Sequence, residues 1–169
     1  SSETKKAKCD KEGCAEYVSG VLKNKVLGDA WEMKSNIEKD GKKIKYNIYD
    51  DPKFKNVKSA KDLKKVTVDV KKGSKANASM FKVGDVVGLY NSSSDMHKTA
   101  LTKGKGGTYN THVGTVTDVI GGVPIISHNI HGKLYHQPYN KLTIGWIGES
   151  GVRSKNVFND KSNTSESIE

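Results

Sequence analysis

The chain has 169 residues, with 29 basic and 19 acidic side chains and a formal net charge of +10, a length that fits one domain with its own core. Hydrophobic residues make up 34% and no apolar run nears the roughly 20 residues that cross a bilayer, so no membrane span is expected, and the chain carries no charged-then-apolar leader. Arg153 is the one Arg among many Lys; this argues against base readout and for a diffuse cationic coat able to attract polyanions, although an AT-rich genome gives the same lysine excess.

In chain order, residues 1–12 read as a polar lead-in. Cys14, Val18, Val21 and Leu22 then recur at helical spacing, which predicts a helix from about Gly13. A second helix is expected over 28–39. The stretch 34–78 is Lys-rich and reads as an insertion. Within it Ser59 would cap a short helix over 60–65, and Val66, Val68 and Val70 alternate like a strand. Further strands are expected over 85–90, 112–119, 124–129, 133–136 and 142–147, with a Ser/Gly/Thr-rich loop over 91–110. Residues 151–169 form a polar tail expected to be disordered. Helices first and an antiparallel sheet after them define an α+β class. The domain is expected over 13–150.

A catalytic cysteine needs its thiol ionised or deprotonated by a base, and a group that holds the base. Cys14 falls at the first turn of the first helix, where the dipole favours thiolate. A small buried apolar Cys would occupy the same place. His112 opens a strand that runs to the turn Gly121-Gly122. With a tight turn, Ile120 faces Val123, Gly114 faces Asn129 and Val116 faces Ser127. His112, Gly114, Ser127, Asn129 and His131 then share one face, with Asn129 diagonal to His112; a single bulge would swap Asn129 for His128. Polar residues at an ordinary strand end would look alike. His128, His131 and His136 lie close in sequence but lack a second ligand motif, so no metal is expected. Two cysteines, Cys9 and Cys14, are too few for a disulfide framework.

Five segments taken together resemble the CHAP domain (cysteine, histidine-dependent amidohydrolase/peptidase), a relative of the NlpC-type peptidases in the papain-like clan. They are Gly13-Cys14-Ala15-Glu16-Tyr17-Val18, Gly28-Asp29-Ala30-Trp31, Phe81-Lys82-Val83-Gly84-Asp85-Val86-Val87, His112-Val113-Gly114-Thr115-Val116 and Ser127-His128-Asn129-Ile130-His131-Gly132. The resemblance runs from about 13 to 147. It implies a papain-like fold with the nucleophile helix packed on the sheet, Cys14 as nucleophile, His112 as base and Asn129 holding the ring, with no cofactor. It implies an enzyme that cuts an amide bond of peptidoglycan, of phage or bacterial origin, secreted or virion-associated. The implied partners are the wall, its anionic polymers and other virion proteins. The family often has Gln before the Cys and Glu two positions before the Asn; here these are Gly13 and Ser127. A structural virion or tail protein of the same fold without activity is the alternative reading, and a Lys-rich nucleic-acid binder is disfavoured by the single Arg.

Overall fold

A computed structural model describes residues 14–23, 27–30, 32–72, 76–90 and 112–152. The lead-in, the 91–110 loop and the tail from 153 lie outside these, as do Cys9, Gly13, Trp31 and His97. The described chain is mixed helix and antiparallel sheet, the α+β class that the element order predicts.

Helix α1 (Cys14–Leu22) falls in the expected segment and buries Val18 and Leu22, one turn apart on one stripe. Helix α2 (Met33–Lys39) buries Met33 and Ile37 at the same spacing. Strand β1 (Ile44–Asn47) follows, then two single-turn 3-10 segments, and then helix α3 (Ala60–Lys72). The sheet is completed by β2 (Val86–Leu89), β3 (His112–Ile120), β4 (Val123–Ile130), β5 (Lys133–Pro138) and β6 (Ile144–Gly148). Its order is β1-β6-β2-β3-β4-β5, with every neighbouring pair antiparallel.

One reading within the 34–78 stretch is corrected. Val66–Val70 is not a strand: it continues α3 without a break. Leu63, Thr67 and Val70 are buried at i, i+4 and i+7, while Val68 stands 47% exposed. The helical period therefore overrode the valine alternation. Ser59 does cap the helix, its Oγ accepting the Asp62 amide at 3.1 Å. The stretch contributes to the sheet and to the core. It supplies β1, and Ile48, Tyr49, Phe54, Leu63 and Val70 form a buried cluster of their own. Lys45 of β1 crosses to Asp85 at the start of β2, an ion pair with both side chains largely buried.

The sheet has an apolar layer on each face. Val86, Val113 and Trp146 meet Val18, Leu22, Met33 and Ile37 of the two first helices. Val87, Leu89, Val116, Ile126, Ile144 and Ile147 form the layer on the other face, with Phe81. Trp146 lies so close to Gly88 that a Cβ there would sit 2.0 Å from its indole nitrogen. The glycine is what lets the largest buried side chain fill the α1/α2 face.

Candidate active site

Helix α1 packs on β3 and β4, and this contact brings Cys14 to the sheet. The thiol is in no disulfide. It packs against the α1/α2 layer that Val113 joins, and the backbone of Val113, Ala15 and Cys14 itself favours its charged form against burial. Val113 is the residue next to His112, so nucleophile and base candidates meet the same end of β3.

The hairpin decides which way the histidine faces. Gly121 and Gly122 both have positive φ, 58° and 81°, as a two-residue turn of this hand requires. Ile120 pairs with Val123, Val119 with Pro124 and Asp118 with Ile125, as a tight turn predicts. Then the register slips. Val116 pairs with Ile126, Thr115 with Ser127 and Gly114 with His128, leaving Thr117 as the extra residue of a bulge. The expected pairing of Gly114 with Asn129 is therefore corrected by one residue. Since a strand alternates its faces, Val113, Thr115, Ser127 and Asn129 look toward α1. His112, Gly114, Val116, Ile126 and His128 look the other way, consistent with the buried layers that Val113, Val116 and Ile126 join.

His112 accordingly meets His128, not Asn129. Its Nε2 lies 2.9 Å from His128 Nδ1, the rings edge-to-face at 78°. Gly114 makes this possible: a Cβ there would sit 2.8 Å from the Ser127 carbonyl and 3.0 Å from His128 Cβ. His128 Nε2 in turn lies 2.7 Å from Gln137 Oε1, and its ring stacks on Tyr135. Asn129, expected to hold the His112 ring, is 1% exposed on the α1 face. Its Oδ1 accepts the Gly132 amide at 2.9 Å and so ties down the turn at His131 and Gly132. Its buried Nδ2 has no hydrogen-bond partner among the described residues. Ser127, on the same face, bonds Thr117 and His136. Sequence reasoning missed Gln137. Gln137 pairs with Ile126 across β4 and β5 and so shares the face of His128; the bulge in β3 is what brings His112 to that face, so the link of Gln137 to the site was conditional on the slipped register.

The electrostatics are those of a dry site. Burial pushes the Cys14 thiol above its ordinary range; the three backbone amides pull the other way and Asp29 adds slightly to the rise. Burial also pushes His112 down to about 3, helped by the charges of His128 and His131. Burial lowers His128 as well, against the Gln137 hydrogen bond that favours its charged form. At neutral pH all three groups are uncharged. The thiolate that a helix N-terminus favours is not the resting state, because desolvation outweighs the dipole and the amides. Among the described residues no group of three or more His, Cys, Asp or Glu could hold a metal ion, and no helix there is long and apolar enough to cross a membrane.

No family model matches the chain, and neither a curated protein nor a solved structure matches it.

Proposed function

We propose that the chain is a cysteine amidase or peptidase that cuts an amide bond of bacterial peptidoglycan, with Cys14 as nucleophile and His112 as base. The observation that carries the reading is the convergence at one end of β3. Cys14 of α1 packs against the buried layer that Val113 joins, and His112, the residue before Val113, is buried and hydrogen-bonded through Nε2. The CHAP-like segments supply the substrate class and the papain-like arrangement; phage or bacterial origin follows from the same likeness.

In this mechanism the Cys14 sulfur attacks the amide carbonyl as His112 takes the thiol proton. In this reading the backbone N–H of Cys14 and a second donor stabilise the oxyanion. Protonated His112 then gives its proton to the leaving amine, and water hydrolyses the thioester. A neutral thiol and a neutral imidazole make proton transfer part of the attack, since no ion pair precedes it. Negative charge forming beside the ring raises its basicity at that moment. The reading makes one geometric demand: the His112 ring, set on the opposite face from Val113, must present Nδ1 to the sulfur around the end of β3.

The test is release of soluble peptides from purified peptidoglycans of several chemotypes, with products identified by mass spectrometry. Release by the wild type and none by Cys14→Ala supports the reading, and the masses name the bond. Inhibition by a chelator but not by a thiol alkylator would sink it. The anionic wall polymers are partners of the lysine coat in this reading, so wall binding weakens as salt rises; binding indifferent to salt counts against that part. The second reading, a silent structural component of a virion or tail, is favoured by the uncharged resting site and by the facing of His112. It predicts no release from any wall, and normal particle assembly with Cys14→Ala.

A further inference from the structure

The donor and acceptor roles along His112, His128 and Gln137 follow from one end of the chain. Gln137 Oε1 is a carbonyl oxygen and can only accept, so the His128 Nε2 that faces it at 2.7 Å carries a proton. Burial keeps His128 neutral, which leaves the lone pair on its Nδ1. That lone pair accepts across 2.9 Å from His112 Nε2, so His112 also carries its proton on Nε2. The lone pair of His112 is thereby on Nδ1. Which nitrogen of a catalytic imidazole holds the proton is decided by the hydrogen bond that the other nitrogen makes.

We infer that Gln137 is a positioning residue: acting through His128, it sets His112 in the Nε2–H tautomer and makes Nδ1 the atom that takes up a proton. That His112 then serves as a base rests on the amidase reading; the tautomer assignment does not. The relay has an internal logic. A carboxylate in place of the amide would accept the same proton. An apolar side chain would accept none and release both rings to either tautomer. Were the amide turned to donate from its nitrogen, every bond in the chain would reverse and His112 would carry its proton on Nδ1, useless as a base there.

The experiment is nitrogen NMR of the full chain labelled at histidine, with the rings assigned by single substitutions. For the wild type and for Gln137→Glu the expected result is one pattern: pyrrole-like Nε2 and pyridine-like Nδ1 on both His112 and His128. For Gln137→Leu the single pattern is lost to a mixture. A wild-type His112 protonated on Nδ1 overturns the inference, and so does a Gln137→Leu spectrum unchanged from wild type. If Gln137→Leu does not fold, the wild-type spectrum still decides. Where wall hydrolysis is measurable, Gln137→Leu lowers kcat by about tenfold with KM unchanged and Gln137→Glu restores it; equal loss in both variants overturns the positioning role. Absence of any hydrolysis, with the tautomer pattern as expected, removes the amidase reading and leaves the tautomer assignment standing.

Discussion

Strand β4 carries a hydrogen-bonded polar chain on each of its faces, and the two have different architectures. On the α1 face, Thr117, Ser127 and His136 bond to one another and all are buried. On the other face, His112 and His128 are buried but the chain runs from the first residue of β3 to Gln137, which is only half-buried. The first chain begins at the bulge residue itself and closes within the sheet. It ties the extra residue to β4 and so fixes the register. The second inherits that register and lies at the strand end where Cys14 meets the sheet. Adjacent residues, Ser127 and His128, thus join separate hydrogen-bonded chains on opposite faces. The difference is imposed by one inserted residue, because a slip of one exchanges every side chain between the faces.

The sharpest way to break this comparison is a pair of substitutions. His128→Leu removes the partner of His112 Nε2, and peptide release should fall by about 100-fold or more, since ring orientation and tautomer are lost together. Ser127→Ala should leave release within a few-fold of wild type and cost about 1–3 kcal/mol of stability in urea, through the partners left unsatisfied. If both variants lose activity alike, the two faces do not have separate roles.

Acid should act on the His112 face. The folded pKa of His112 lies below its unfolded value, at about 3 against 6.5, and His128 shifts the same way. The unfolded chain therefore binds protons first as pH falls. Stability from the buried neutral rings is fully present above about pH 6.5 and is lost as pH falls toward 3. For His112 this amounts to about 3 to 5 kcal/mol at most. Urea midpoints across that window measure it. His112→Phe should flatten the curve; a curve unchanged in that variant would mean that the loss belongs to other groups.

The spacing between the faces is sharpened by Gly114→Ala. The new methyl would meet the Ser127 carbonyl and His128 Cβ at 2.8 and 3.0 Å. Backbone cannot yield cheaply, so a loss of about 1–3 kcal/mol is expected, along with a wider His112–His128 separation. Unchanged stability would mean that β3 and β4 stand further apart at this point.

Much of the sheet was legible because its strands have strong local signals: Gly121-Gly122 fixes a turn, and Val113, Val116 and Ile126 fix the apolar layers. Helix α1 was legible from the helical spacing of Cys14, Val18 and Leu22. Two things were not. Strand β1 is short and carries Lys45, whose charge is paired with Asp85, forty residues on; a local reading sees a charged stretch. The bulge at Thr117 has no glycine or proline to mark it, and is stabilised instead by the buried Ser127 and His136. The site inherited that ambiguity. Cys14 could be placed at the start of a helix and His112 at the start of a strand, whereas the choice of His128 over Asn129, and hence Gln137, depended on a register that only three-dimensional pairing resolves.

The smallest expected effect concerns Cys14 itself. If burial rather than the helix dipole governs the thiol, alkylation by iodoacetamide should be slow at neutral pH. In a Cys9→Ser background, Cys14 should react at pH 7.5 about tenfold or more below its rate in the urea-unfolded chain, since only thiolate reacts. The folded pKa is raised, so the rate should climb only above about pH 9. His112→Ala should leave that profile nearly unchanged, because a neutral ring offers the thiolate no charge. A profile that instead plateaus near pH 6, and moves up in His112→Ala, would reveal a thiolate–imidazolium pair. Nucleophile and base would then already stand together before substrate arrives, and the His112 ring would face Cys14 in solution rather than His128 alone.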